Sequence, residues 1–186
     1  MKKTLIALAV AGSMALAPMA SADNLSYSYA QVSADYWVFD DFSNEWGYGL
    51  RGSAAISDDF YLHGDFNSVD IGPADAHAWS AGFGYRVGLN DTTDLYAEVG
   101  YARARARVSG FGSISDNGYR IQVGTRFLAS STFEGRAGVD YVNLDGGDTS
   151  LVLEGIYKAN QNIGLVAGVN TDFDDHKLNL GVRFNF

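Results

Sequence analysis

The chain has 186 residues, of which 13 are lysine or arginine, 22 are acidic and none is cysteine, and its formal net charge is −9. So acidic a composition does not favour nucleic-acid binding, because a nucleic-acid-binding surface presents a basic patch to phosphates. The lack of cysteine excludes a disulfide scaffold, a cysteine nucleophile and a zinc site with cysteine ligands.

Residues 1–22 have the pattern of a secretory signal peptide. Lys2 and Lys3 precede a short apolar segment, and small residues then lead to Ala20-Ser21-Ala22, a sequence typical of a cleavage site. Cleavage after Ala22 leaves residues 23–186 as one domain, and the loss of two lysines takes the net charge from −9 to −11. After Ala22 no window approaches the roughly 20 apolar residues of a membrane helix. The mature chain is therefore either soluble or crosses a membrane as strands.

Ten successive segments alternate apolar and polar residues with the period of two that is typical of a β-strand. Their apolar positions run from Ala30 to Tyr36, Trp46 to Ile56, Phe60 to Phe66, Trp79 to Val87, Leu95 to Tyr101, Tyr119 to Phe127, Phe133 to Tyr141, Leu151 to Tyr157, Leu165 to Val169 and Leu178 to Phe186. Alternation alone fits a soluble sandwich as well as a membrane barrel.

The positions of the aromatic residues favour the membrane barrel. If each connection changes sides, one set lies near one rim: Tyr36, Trp46, Tyr48, Trp79, Tyr101, Tyr119 and Tyr141. A second set lies near the other rim: Phe60, Phe127, Phe133, Tyr157, Phe184 and Phe186. Two aromatic girdles around an apolar band are typical of outer-membrane barrels. We therefore predict an all-β, antiparallel, up-and-down transmembrane β-barrel of ten strands, with eight strands as the alternative.

The predicted connections support the same topology. Four are short and turn-like, at residues 57–59, 90–93, 129–132 and 159–162, and five are longer on average and more acidic, at 39–45, 68–77, 108–117, 143–148 and 172–176. Outer-membrane barrels have short periplasmic turns and longer outer loops. The even strand number places both termini in the periplasm.

The inward face predicts a charge-paired lumen. By side-chain parity it receives six arginines and six acids: Arg51, Arg86, Arg120, Arg126, Arg136, Arg183, Asp35, Asp65, Glu98, Glu134, Asp140 and Glu154. Buried charges require partners, and arginine binds carboxylates with two hydrogen bonds. Ten strands are close to the width of about eight strands that side chains can fill. We therefore expect a largely filled lumen and a structural or surface-interaction role through short acidic loops. The alternatives are a narrow passive pore and, third, an outer-membrane hydrolase.

Two groups of residues could in principle carry catalysis. Ser53, His63 and Asp65 have the side chains of a hydrolase triad, but lumen packing is the favoured interpretation. Asp172, Asp174, Asp175 and His176, together with Asp40 and Asp41, resemble in residue type the acid and histidine cluster of outer-membrane proteases, although a solvated acidic rim is favoured. No twelve-residue loop spacing supports a dedicated calcium site. We expect no enzyme activity, no metal and no cofactor.

Three arginines on one strand point outward in the predicted barrel. Arg103, Arg105 and Arg107 continue the parity of Tyr101. An arginine facing lipid costs about 2–4 kcal/mol at the bilayer midplane and about 0–1 kcal/mol at the interface. The arginines therefore belong above the girdle, at the height of lipopolysaccharide phosphates, which arginine binds well. A strand extended into solvent, or a bulge that turns the arginines inward, would explain them equally.

The chain ends in an alternating segment with outward Leu180, Val182, Phe184 and a final Phe186. This end resembles the signal that the barrel assembly machinery reads during biogenesis. Further blocks resemble a family of small proteobacterial outer-membrane proteins discussed in connection with quorum sensing, biofilms and host immune recognition. These blocks are residues 25–29, 46–54, 82–85, 116–119 and 133–135. The resemblance implies the barrel fold and the outer membrane; any host or cell-surface ligand is unknown.

Overall fold

Ten β-strands form a closed cylinder in the computed structural model, which describes residues 25–39, 43–72, 74–108, 110, 112–144, 146–172 and 175–186. The strands are β1 (Tyr29–Val38), β2 (Glu45–Ala55), β3 (Phe60–Ile71), β4 (Ala74–Asn90), β5 (Thr93–Val108), β6 (Gly112–Ser130), β7 (Phe133–Asn143), β8 (Asp148–Lys158), β9 (Ile163–Thr171) and β10 (His176–Asn185). Each strand pairs antiparallel with its sequence neighbours, and β1 closes the barrel against β10. The predicted ten-stranded antiparallel barrel is confirmed, and the eight-stranded alternative is wrong. Within the described ranges no helix has the length and apolarity to cross a bilayer. The predicted signal peptide lies outside the described residues.

Both described chain ends lie at the same end of the barrel. Tyr29 of β1 is in register with Asn185 of β10, and the amide of Phe186 donates a hydrogen bond to the carbonyl of Ser28 at 3.1 Å. We call this end the terminal end and the opposite one the distal end.

The outer surface of the cylinder is apolar, because the outward residue of each pleat is apolar. Large side chains such as Phe83, Val99 and Leu180 are 55–66% exposed, far more than a water-soluble fold tolerates over a whole surface. Aromatic rings pair near both ends: Tyr36 with Trp46 and Trp79 with Tyr101 at the distal end, and Phe60 with Tyr85 at the terminal end, with centroids 4.9–5.3 Å apart. This pattern matches the lipid-facing band and girdles of a membrane barrel.

Three strands continue beyond the distal aromatic rings. β4, β5 and β6 have 17, 16 and 19 residues, and their register runs unbroken to Ala74, Val108 and Gly112. We call residues 74–78, 103–108 and 112–117 the β4–β6 extension. The prediction of long loops at 68–77 and 108–117 is therefore wrong, because most of these residues pair as strands. A tight turn with Gly72 at φ 56° follows β3, a backbone conformation that glycine adopts without strain.

The interior is apolar near both ends of the barrel, a feature that the inward charges of the sequence did not predict. At the distal end an apolar cluster fills it, formed by Trp37, Phe39, Val69, Ala76, Ala78, Ala102, Ala104, Val142 and Leu144. A smaller cluster of Leu25, Tyr27 and Tyr61 lies at the terminal end. The inward alanines of β4 and β5 are small, so they leave room for Trp37 of β1, Val69 of β3 and Val142 of β7, which pack there and exclude water.

Candidate functional site: the charged lumen

A continuous chain of alternating charges crosses the middle of the lumen. Successive members form ion pairs within 3.3 Å, for example 2.7 Å between Arg183 and Glu154 and 2.7 Å between Arg120 and Asp140. The order is Arg126, Glu134, Arg183, Glu154, Arg51, Asp65, Arg120 and Asp140. Each charge therefore has the partner that a buried ion requires.

Several of these pairs join strands that are not neighbours. Arg51 of β2 reaches Glu154 of β8 at 3.1 Å, and β2 and β8 are four strands apart around the cylinder. Arg120 of β6 pairs with Asp65 of β3, three strands away. Such pairs cannot form along the barrel wall, so their side chains span the lumen.

A second group of side chains is linked to this series of ion pairs through Gln122. Arg136 donates to the Gln122 Oε1 at 2.7 Å and to Glu98 at 3.2 Å, while Arg120 reaches the same amide oxygen at 3.4 Å. The Tyr61 hydroxyl donates to Glu98 at 3.0 Å. Tyr61 lies directly over Gly84, where an added Cβ would be 2.1 Å from the ring, so a glycine is required there.

The terminal end of the lumen is closed by the segment that precedes β1. Tyr27 is 4% exposed, and the guanidinium carbons of Arg126 and Arg86 lie 4.2 and 4.8 Å from its ring centroid. Arg126 also donates to the carbonyl of Ser26 at 2.9 Å, and the Ser53 hydroxyl donates to the carbonyl of Tyr27 at 2.7 Å. Cation–π contacts and main-chain hydrogen bonds thus hold this segment inside the barrel.

All twelve charged residues predicted for the lumen lie on its inner face, and each takes part in an ion pair. Three of them pair with residues that the sequence did not point out. Arg86 pairs with Asp94 at 3.1 Å, Asp35 with Lys177 at 3.7 Å and Glu134 with Lys158 at 3.8 Å. Each missed residue lies next to an outward residue, Leu95, Leu178 or Tyr157, so inward parity was the available signal.

The three residues with triad chemistry do not form a triad. Neither ring nitrogen of His63 has a hydrogen-bond partner among the described residues, although the side chain is buried. Ser53 donates to a main-chain carbonyl, and Asp65 accepts from Ser80 at 3.0 Å and pairs with arginines. A serine can be activated only by a base within hydrogen-bonding reach, so this geometry gives no nucleophile.

A small acidic pocket lies at the distal end beside Trp37. Its volume is about 30 Å³, enough for water, and it is lined by Asp148, Asp172, Asp175 and His176 among others. Burial, and then the nearby charges of Asp172 and Asp175, raise the pKa of Asp148 above the ordinary aspartate value. Asp40, Asp41 and Asp174 of the predicted acidic cluster lie outside the described residues. Among those described, no group of three or more acids and histidines is placed to hold a metal.

The remaining predicted site residues lie on the outer surface. Arg103, Arg105 and Arg107 are exposed on β5, and β5 keeps an unbroken register with both neighbours over this stretch. The bulge that would have turned them inward is therefore absent from these described pairs. Leu180 and Phe184 of β10 are 66% and 47% exposed, whereas Val182 and Phe186 are half-buried.

An apolar exterior, aromatic girdles and a charged interior define a transmembrane β-barrel. Residues 5–186 match the family model of the outer membrane protein β-barrel domain. The chain belongs to that family, and its membrane is the bacterial outer membrane. The narrower resemblance to one family of small proteobacterial outer-membrane proteins stays a prediction.

Solved structures share the fold at low sequence identity. The NanC porin has a TM-score of 0.52 at 10% identity, with 84% of this chain and 100% of that chain covered. The KdgM porin has a TM-score of 0.49 at 14% identity, with 84% and 99% covered. Ail of Yersinia pestis has a TM-score of 0.45 at 16% identity, with 85% and 95% covered. A search of curated protein sequences found no match.

Proposed function

We propose that this protein is a closed outer-membrane barrel that acts as a structural or surface-interaction protein and not as a channel. The observation that carries the proposal is the chain of ion pairs across the lumen, in which Arg51 meets Glu154 and Arg120 meets Asp65. Open aqueous porins use about 16 strands, whereas ten strands are close to the width that side chains fill. A solute would have to break several buried ion pairs to pass.

The two ends of the lumen support the same proposal. The apolar cluster around Trp37 and Val142 fills the distal end, and the segment at Tyr27 fills the terminal end. An ion on a path through the barrel would have to leave water at both clusters, which is costly. A hydrolase is not proposed, because His63 lacks the contacts that would make it a base.

One observation favours the alternative, a narrow pore. Buried polar atoms of His63, Gln122 and Asn179 lack a hydrogen-bond partner among the described residues. Buried polar groups of this kind commonly bind ordered water. A connected file of water would let small ions pass, so the lumen must be tested for conductance directly.

Single-channel recording in planar bilayers tests the proposal. We expect the wild-type protein to show no current steps. A variant with Arg51, Glu154, Asp65 and Arg120 all replaced by alanine removes two cross-lumen pairs without changing net charge. With Trp37 and Tyr27 also replaced by alanine, so that the clusters at both ends are opened, it should conduct. This variant shows that the assay detects an open lumen. Current steps from the wild-type protein would overturn the proposal in favour of the pore.

The proposal also places both termini in the periplasm and the distal end outside the cell. The chain contains no cysteine, so a single introduced cysteine reports its own side of the membrane. We expect Ser43→Cys, in the exposed connection between β1 and β2 at the distal end, to react with a membrane-impermeant maleimide in intact cells. Asn160→Cys, in an exposed turn at the terminal end, is the matched control and should react only after lysis. The reverse pattern would contradict this orientation.

A further inference from the structure

The outer face of the β4–β6 extension carries an unusual row of positive charge. Arg103, Arg105 and Arg107 are exposed, while the alanines between them point inward: Ala104 is buried in the apolar cluster and Ala106 packs against it. Outward residues two apart on a strand lie about 7 Å from each other, so the three guanidinium groups form one ladder. The ladder is a local exception in a chain whose net charge is −9.

The residues beside this ladder are mostly neutral hydrogen-bonding groups. In register, Arg105 lies between His77 and Ser115, and Arg107 lies between Asp75 and Ser113. Arg105 donates to the Ser113 hydroxyl at 3.2 Å. No ion pair engages Arg103 or Arg107 among the described residues, so the structure leaves this charge available to a ligand.

The height of the ladder indicates what that ligand is. Arg103 lies beside Trp79, whose ring contacts Tyr101 with centroids 5.3 Å apart, and Tyr101 is in register with Tyr119. Such aromatic rows lie at the boundary between the acyl chains and the headgroups. The ladder begins at this boundary and rises from it, so it lies at the level of lipid headgroups.

We propose that the arginine ladder binds the phosphate groups of lipopolysaccharide in the outer leaflet. Guanidinium groups bind phosphate through two parallel, charge-assisted hydrogen bonds, and the hydroxyls of Ser113 and Ser115 supply further donors. The ligand is a membrane lipid and not free phosphate, since the site directly adjoins the lipid-facing girdle. The proposal rests on the part of the proposed function that places the distal end outside the cell.

The test measures lipopolysaccharide bound per barrel on purified protein in detergent. We expect the variant with all three arginines replaced by serine to retain about tenfold less than wild type, because each basic side chain near an anionic surface adds to affinity. The variant with all three arginines replaced by lysine keeps the charge but lacks the guanidinium group that binds phosphate with two hydrogen bonds. It should lose less lipopolysaccharide than the serine variant. Asp58→Asn with Asp59→Asn, at the terminal end, is the control and should bind as wild type.

Three further binding measurements identify the group that the ladder binds. Wild-type binding should fall as salt rises, and it should be lost with lipopolysaccharide stripped of its phosphates. Excess inorganic phosphate should not displace the lipid, and displacement would assign the site to free phosphate. Equal retention by wild type and the serine variant would overturn the proposal, as would a serine variant that fails to fold, because the ladder would then support the barrel itself. The maleimide labelling tests orientation separately, so either failure can be recognised.

Discussion

Reversal of one lumen charge, Arg120→Glu, should be strongly destabilising. The Arg120 side chain is 3% exposed and pairs with both Asp65 and Asp140. The substitution leaves Asp140 with no cation partner among the described residues and places a third carboxylate beside two others. Breaking a buried ion pair costs about 3–5 kcal/mol. We therefore expect the free energy of unfolding to fall by at least about 3 kcal/mol.

The matched control is the same reversal on the outer surface, Arg105→Glu. Its side chain is exposed, so its effect in plain detergent should lie within about 0.5 kcal/mol of zero. Urea unfolding in the same detergent, followed by tryptophan fluorescence, measures both variants. A charge swap, Asp140→Arg in the Arg120→Glu background, should recover about 1 kcal/mol or more, as expected for residues in direct contact. Equal urea midpoints of unfolding for Arg120→Glu and Arg105→Glu would refute the assignment of Arg120 to the lumen and of Arg105 to the exterior.

Three further predictions follow from other parts of the barrel. His63→Leu should raise the free energy of unfolding by about 1 kcal/mol, since it removes buried nitrogens that lack partners; a loss of stability in urea would mean that His63 has a bound partner. The raised pKa of Asp148 means that this residue's own contribution to the free energy of unfolding increases as the pH falls toward the ordinary aspartate pKa; Asp148→Asn should remove that contribution, seen as a pH-dependent difference between wild-type and variant unfolding curves. Deletion of Phe186 should lower the outer-membrane yield, measured by quantitative immunoblot, whereas Phe133→Ala, at an exposed aromatic of the same end, should not; equal yields would contradict an assembly signal.

Much of this architecture was readable from the chain because lipid imposes a strict rule on strands. Each outward residue of a membrane barrel faces acyl chains, so the apolar period of two survives in all ten segments. The same parity placed Arg51, Arg120 and Glu154 inside. It also placed Arg103 outside, since one residue of shift reverses the face of every side chain on a strand.

The sequence could not determine which charges meet. Arg51 and Glu154 are 103 residues apart in the chain and come together only because closure of the barrel brings β2 and β8 to facing positions. The partners of Arg86 and Asp35 were missed for the same reason, since Asp94 and Lys177 lie at strand ends, where pairing depends on the register of neighbours.

Sequence by itself determined the two faces of the strands and the excess of acid and favoured ten strands over eight, because these are local properties of alternation and composition. Tertiary structure alone decided that β4–β6 rise beyond the girdle and that Trp37 and Val142 meet in an apolar cluster. Strand ends are set by hydrogen bonding to a neighbour, and packing inside a cylinder is set by distances across it. Neither quantity is encoded by the period of a single strand.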